Sequence, residues 1–148
     1  MKKVRIAFVG VVAAATLAGC GGGNAERDKS ASDVAQAVRV LQDAMKEETA
    51  AVKTGNAHDE IENVQLVAQV EHERLAKLAQ RAPAETQDFA DAAELWSKAV
   101  LTSRTAILER VDESTSAAAI LNIRLSAKAM DAEAAKLHVD PWLKLDQY

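Results

Sequence analysis

The sequence predicts an all-α fold, an antiparallel bundle of about four amphipathic helices. Alanine is the commonest apolar residue, and only two Phe, two Trp and one Tyr occur among 148 residues. Alanine has the highest helix propensity and allows helices to approach closely. Apolar residues also recur every three or four positions in four stretches, which is the spacing of one helix face. We therefore expect a helical bundle domain over residues 30–138.

The first nineteen residues have the composition of a signal peptide. Lys2, Lys3 and Arg5 form a basic head, and residues 6–18 are apolar except for Thr16. A helix that spans a membrane needs about 20 apolar residues, so this shorter run favours a secretory signal over a permanent span. The run ends in Leu17-Ala18-Gly19-Cys20, which resembles the lipobox of bacterial lipoproteins at all four positions.

The lipobox resemblance implies a lipid anchor on Cys20. In that family the thiol receives a diacylglycerol thioether, and a signal peptidase recognises the residues matched here by Leu17, Ala18 and Gly19 and cuts before the cysteine. Two or three acyl chains make such an anchor effectively permanent. This covalent lipid, of the palmitate type, is the only cofactor we expect; the alternative is cleavage at another small residue, which leaves Cys20 free.

The residue after the lipidated cysteine affects sorting in this family. Gly21 favours an outer membrane lipoprotein that faces the periplasm, whereas a Gram-positive host would place the domain on the outer face of the cytoplasmic membrane. Cleavage leaves 15 basic residues against 22 acidic ones and changes the net charge from −4 to −7. This acidity argues against nucleic acid and against docking on anionic head groups.

The predicted domain begins after a short linker. Residues 20–29 are expected to be the lipidated cysteine and a flexible glycine-rich linker, because glycines precede a polar stretch without helical spacing. Helix 1 is predicted over about 31–53, with Ser30 or Ser32 as its cap and Gly55 as its stop. Its stripe comprises Val34, Val38, Leu41, Met45 and Val52, with Glu48 as the polar exception.

Helices 2 and 3 follow with short connections. Helix 2 is predicted to start after Asn56 and to reach about residue 82, antiparallel to helix 1. Its stripe comprises Ile61, Val64, Ala68, Leu75, Leu78 and Ala82, broadened by Val67 and Val70. Pro83 suits the first turn of helix 3, because its missing N–H would be unpaired there, and that helix should reach about Arg110. Its stripe comprises Phe89, Ala93, Trp96, Val100, Ile107 and Val111, with Ser103 in register.

The boundary between helices 3 and 4 has neither glycine nor proline. Three consecutive hydroxyl residues in 112–116 can divert the backbone or cap a new helix, so we predict a turn there and helix 4 over about 117–137. The stripe of helix 4 starts in a new phase and comprises Ile120, Ile123, Ala127, Met130, Ala134 and Leu137. The alternative is three helices, of which the last is long and kinked.

The final residues, 139–148, form a short apolar tail in which Pro141 holds Asp140 out of helix geometry. Its large apolar side chains are Trp142, Leu143, Leu145 and Tyr148. One interpretation is that the tail folds back and caps the open end of the bundle. The other is that these side chains form a docking strip for a protein partner, because exposed aromatic residues mark binding sites.

The polar residues predict neither a metal site nor an enzyme. The three histidines, His58, His72 and His138, form no recognised metal-ligand pair with one another. Glu71, His72 and Glu73 are consecutive, so their side chains point about 100° apart and cannot converge on one ion. His58 and Glu62 share a face, but we expect a solvated helix start.

Catalytic motifs are missing from the sequence as well. It contains no G-x-S-x-G motif, it has no glycine after Gly55 for a phosphate loop, and its sole cysteine is expected to be lipidated. We expect the three polar interruptions of the stripes to lie at stripe edges facing water, namely Glu48, Glu71 and Ser103.

The predicted function is therefore non-catalytic. We expect an envelope lipoprotein, held at the membrane by its lipid, whose bundle binds or regulates a protein partner as an accessory or scaffold. The alternative is an inhibitor, immunity or entry-exclusion lipoprotein that protects the cell against a toxin, phage or plasmid. Association into a homo-oligomer is compatible with either.

Overall fold

The structure is a computed structural model that describes residues 22–55 and 57–139. Within these ranges the chain forms four helices: α1 (Gly22–Thr54), α2 (Ala57–Ala79), α3 (Gln87–Leu108) and α4 (Glu113–Lys136). They pack around one contiguous apolar core, so the predicted all-α bundle is confirmed. None of the helices in the described ranges is long and apolar enough to cross a membrane.

The core contains the predicted stripes and the two largest buried side chains of the domain. Trp96 and Phe89 of α3 are each only 1% exposed. Around them lie buried side chains from all four helices, among them Leu41, Met45, Leu75, Ile123 and Met130. The predicted stripes fail at their ends, where Val52, Ile107 and Ile120 are exposed. They also fail at Val70 in the middle of α2, which lies beyond the edge of the packed face.

Hydrogen bonds between helices show an up-down-up arrangement for the first three. Ser30 is bonded to Thr86, and Glu48 to Arg104, so α1 and α3 run in the same direction. Gln65 bonds to Thr105 and His72 to Ser97, which sets α2 antiparallel to α3. The antiparallel order predicted from the short connections is therefore correct.

Helix α4 lies at the side of this three-helix group. Its backbone approaches α3 closely, whereas no Cα atom of α4 lies within 8 Å of α1 or α2. The buried stripe of α4 is narrow and mostly alanine, with Ile123 and Met130 as its large members. Since a narrow stripe can cover only one neighbour, the four helices do not form a closed square.

The α3–α4 boundary lies earlier than predicted. Arg110 has a φ of 55°, and Arg110 and Val111 donate their N–H groups to Ile107 and Ala106 in a Schellman motif that ends α3. Asp112 then caps α4 by accepting from the Thr115 N–H at 3.0 Å. The predicted turn and separate fourth helix are confirmed, but the turn lies at 109–112 and α4 begins about four residues before the predicted start, because the Asp112 carboxylate caps the new helix. The alternative of three helices, of which the last is long and kinked, is wrong.

The start of α1 also differs from the prediction. Residues 22–29 were expected in a flexible linker, but α1 already begins at Gly22, nine residues before the predicted start. Ala25, Glu26 and Arg27 are strong helix formers, and a helix that its buried stripe has nucleated extends into them at little cost. These residues belong to an extension that we call the stalk (22–30), in which residues 23–30 are exposed or half-buried.

The start of α3 is later than predicted. Pro83 does not occupy the first turn; it accepts a hydrogen bond from the Thr86 N–H at 2.9 Å, which closes a turn before the helix. The helix begins at Gln87, whose side-chain amide also donates to the Ala79 carbonyl at the end of α2. The connection between α2 and α3 is thus a compact turn.

Candidate functional site

The residues that the sequence marks for function lie outside the described ranges. These are the lipobox residues Leu17, Ala18, Gly19 and Cys20, and the apolar tail residues Trp142, Leu143, Leu145 and Tyr148. The structure does show where the described chain enters the bundle, after the lipobox, and where it leaves the bundle, before the tail.

The chain enters and leaves at the same end of the bundle. The Ser30 hydroxyl lies 3.0 Å from that of Thr86, just before α3, so the stalk projects beyond the start of α3. At the other terminus, the short connection between Leu108 and Glu113 sets α4 antiparallel to α3, so the end of α4 at Lys136 lies beside the start of α3. The hydrogen bond to Glu133 and the charges of Glu133 and Asp88 raise the pKa of Lys136. We call this the shared end of the bundle.

The stalk separates the bundle from Cys20 by a fixed length of helix. The first buried residue of α1 is Ala31, nine residues after Gly22. At about 1.5 Å per residue the helix spans about 13 Å from Gly22 to this residue. A helical stalk of this kind sets the distance between the bundle and the start of the helix, whereas the predicted flexible linker would set only the maximum value of that distance.

The chain leaves α4 through a defined turn. His138 has a φ of 55° and donates its N–H to Ala135, and the Val139 N–H donates to the Ala134 carbonyl at 3.0 Å. This pair of bonds is a Schellman motif, which turns the chain away from the helix axis. Val139 and Leu137 are half-buried against the core, so the following segment starts on the surface of the bundle.

An open groove runs between α3 and α4. It has a volume of about 400 Å³, and its walls include Leu95, Ala99, Thr102, Ala119, Leu125 and Ser126. Leu95 is 62% exposed and Leu125 is 59% exposed. The groove therefore presents two exposed leucines among walls that are otherwise small or polar and that include Lys98 and Asn122.

A buried ion pair connects α1 with α3. Arg104 Nε donates to Glu48 Oε2 at 2.9 Å, and the two side chains are only about 10% exposed. The neighbouring Ser103 is 1% exposed. The prediction that Glu48 and Ser103 face water is wrong, because a residue 56 positions away supplies the counter-ion.

Glu71 of α2 is buried as well, contrary to the prediction, and is incompletely paired. Arg74 Nη1 lies 3.5 Å from Glu71 Oε2, which is long for a charged hydrogen bond, and the guanidinium donates instead to Gln36 of α1. Oε2 has no hydrogen-bond partner in the described part of the chain. Burial therefore raises the pKa of Glu71, and Arg74 offsets this only in part.

His58 and His72 both lie in α2, and His138 follows the end of α4. His58 lies 3.8 Å from Glu62 on the exposed start of α2, and His72 Nδ1 lies 3.2 Å from the Ser97 hydroxyl. Within residues 22–55 and 57–139, no group of three or more His, Cys, Asp or Glu side chains is arranged to hold a metal ion.

Sequence reasoning missed two features of this surface and interior. The polar residue at position 48 in an apolar stripe was a signal for a buried pair, but spacing alone could not identify Arg104 as its partner. The uncovered groove was missed because Leu95 and Leu125 lie off the stripes.

The chain matches no known family, and neither a curated protein nor a solved structure shows detectable similarity to it.

Proposed function

We propose that this protein is a lipid-anchored envelope lipoprotein whose non-catalytic helical bundle binds or regulates a protein partner in the periplasm. One observation carries the proposal: the lipobox ends at Cys20, two residues before a helix that begins at Gly22. The lipid would then be joined almost directly to a rigid stalk.

The short connection between Cys20 and α1 supports a positioning role. A bundle on a stalk of about 13 Å would be presented at a restricted height and with its shared end toward the membrane. A freely diffusing carrier or enzyme has no need of such a restriction. An accessory that meets a membrane-associated partner does.

The outer face of α2 supports the partner-binding part of the proposal. Leu66 and Val70 are 62% and 63% exposed, and they lie one helical turn apart. Glu62 and Glu73 are exposed on the same face. Paired apolar side chains between acidic residues favour a partner with an apolar contact and basic flanks.

The anchor is tested by metabolic labelling with a palmitate analogue in a bacterial host. The full chain should incorporate label and sediment with membranes, whereas Cys20→Ala should lose both properties. Ser32→Ala, an exposed change in α1, is the matched control and should retain both. Persistence of label in Cys20→Ala would contradict the lipoprotein assignment.

The partner surface is tested by crosslinking in intact cells. The double variant Leu66→Glu, Val70→Glu should lose at least about tenfold of any crosslinked envelope protein while remaining helical. Val52→Glu, which changes an exposed valine of α1, is the control. Equal crosslinking by both variants would place the partner surface elsewhere.

A further inference from the structure

The side of α4 that faces away from the core is apolar and basic. Leu121, Leu125 and Lys128 are spaced four and three residues apart, so they share one face, which lies opposite the buried stripe around Ile123. Both leucines are more than half exposed, and the lysine is exposed as well. Over residues 117–130 the helix carries basic residues and no acidic one. We call this the outer face of α4.

The side of α2 that faces away from the core is apolar and acidic. Leu66 and Val70 are more than half exposed and lie opposite the buried stripe of this helix, with Glu62 and Glu73 exposed at the borders. Over residues 57–73 the helix carries acidic residues and neither lysine nor arginine. The outer face of α2 therefore suits an apolar helix with basic residues, which is what α4 is.

These two outer faces point away from each other. Ser97 of α3 is hydrogen-bonded to His72 of α2, whereas Ala99 lines the groove between α3 and α4. Two residues in a helix are separated by about 160° around its axis, so α2 and α4 lie on nearly opposite sides of α3. One copy of the chain cannot bring its own two outer faces together, but two copies can.

The apolar parts of the two faces lie at the same height. Both α2 and α4 run toward the shared end, where Gln87 at the start of α3 donates to the last turn of α2. Leu66 and Val70 lie about 20 and 14 Å from the ends of their helix, and Leu121 and Leu125 lie about 23 and 17 Å from the end of theirs. Copies that stand side by side with the shared end toward a membrane would present the faces in parallel and level with each other.

We propose that the outer face of α4 docks on the outer face of α2 in a second copy of this chain, with Leu125 between Leu66 and Val70 and with Lys128 beside Glu73. The contact is head to tail, so each copy can bind one neighbour on either side, in a ring or a row. This inference rests on the proposed function, because a common anchor holds the copies upright, and it names the partner of the α2 face.

Photocrosslinking of the full chain in intact cells tests the contact. A photoreactive amino acid in place of Leu125 should give at least about tenfold more crosslinked dimer than one in place of Val52, which is exposed but lies outside both faces. Mass spectrometry of the dimer should locate the crosslink in α2 of the second copy, around Leu66 and Val70.

Charge exchange tests the orientation of the contact. Lys128→Glu and Glu73→Lys should each reduce the dimer several-fold, because each places like charges opposite each other. The chain with both changes should recover the dimer, since the pair is restored in reverse. Lys53→Glu, at the exposed end of α1, is the matched control and should leave the dimer unchanged. All three positions are exposed, so the changes leave the core intact.

The other occupants of these faces have distinct outcomes. Crosslinks from Leu125 to α4 of the second copy would overturn the proposal and indicate a symmetric dimer. Crosslinks to a different envelope protein would overturn it and leave the proposed partner binding standing. Equal dimer from Leu125 and Val52, in a chain that is lipid-labelled at Cys20, would overturn it and leave the anchor standing. A dimer crosslinked through α2 in a chain without lipid label would support the contact and contradict the anchor.

Discussion

Single residues in left-handed geometry end three of the four helices. Gly55, Arg110 and His138 all have a positive φ, and only the first is glycine. This geometry costs a residue with a side chain about 1–2 kcal/mol of conformational free energy, whereas glycine adopts it without that cost. The ends of α3 and α4 are therefore held by the surrounding hydrogen bonds against a local cost.

Replacing glycine by alanine at one of these positions should destabilise the fold, whereas replacing a larger residue by glycine at another should stabilise it. We expect Gly55→Ala to lower the free energy of unfolding by about 1 kcal/mol, since a Cβ there meets nothing within 4 Å and only the backbone is strained. Arg110→Gly should raise it by about 0.5–1 kcal/mol. Urea titrations measure both. Gly23→Ala, also without a Cβ contact but inside the stalk helix, is the control and should not destabilise.

Glu71 introduces a pH dependence of known sign. Burial raises the pKa of its carboxyl above 4.5, so the folded protein binds a proton more readily than the unfolded chain does. The stability is then greatest while the side chain is protonated and falls as the pH rises through the raised pKa. At neutral pH the ionised, incompletely paired carboxylate destabilises the fold.

Glu71→Gln should remove this cost. The amide keeps the shape of the side chain without its charge, so we expect the variant to be more stable at pH 7 by about 1 kcal/mol and to lose the advantage below pH 4.5. Thermal unfolding across this pH range measures the difference. Glu73→Gln, on the exposed side of the same helix, should show no such trend. A loss of stability at pH 7 would mean that Arg74 compensates Glu71 fully.

At the scale of helices, the Glu48–Arg104 pair fixes how α1 packs against α3. Removing one partner leaves a buried charge, so Arg104→Met should lower the free energy of unfolding by about 3–5 kcal/mol. The double variant Glu48→Met, Arg104→Met should recover most of this, because apolar side chains of similar size can replace a buried pair. Urea titrations of the two single variants and the double variant measure this coupling. Additive losses would show that the charges do not interact.

The cap of α4 is expected to depend on the ionised form of Asp112. Its hydrogen bonds from Ser114 and Thr115 hold the pKa of this carboxyl well below its usual range. The stabilisation of the fold by this cap is therefore fully present above the ordinary pKa of aspartate, and it is lost as the pH falls through the lowered pKa of Asp112. Asp112→Ala should lower the unfolding midpoint at pH 7 by roughly a few degrees. The change should shrink in strong acid, and an equal loss at every pH would contradict capping by the carboxylate.

The helices themselves were predictable, but their ends were less so. The spacing of Val38, Leu41 and Met45, or of Trp96 and Val100, follows from one buried face and needs no partner to be recognised. The ends depend on single interactions that spacing does not reveal, such as the left-handed Arg110 or the Asp112 cap. The stalk was missed because polar helix formers extend a helix that is packed only farther along.

The polar interior and the groove depend on contacts between distant parts of the chain. Glu48 and Arg104 are far apart in sequence, and nothing local distinguishes their pairing from a solvated pair. The groove exists because α4 approaches only α3, which depends on how wide its alanine-rich stripe is once packed. The lipid anchor that we propose at Cys20 rests on four adjacent residues, so inferring it requires no contact between distant parts of the chain.

At the scale of the whole molecule, α4 should open before the other helices. Its backbone contacts α3 alone, whereas α3 contacts all three other helices, and fewer contacts lower the free energy of local opening. Native-state hydrogen exchange should therefore show lower protection in α4 than in α2 and α3, with the stalk least protected because none of residues 23–30 is buried. Ile123→Ala should increase exchange in α4 alone, whereas Leu41→Ala should increase it in all four helices. Equal protection of α3 and α4 would show that the bundle opens as one unit.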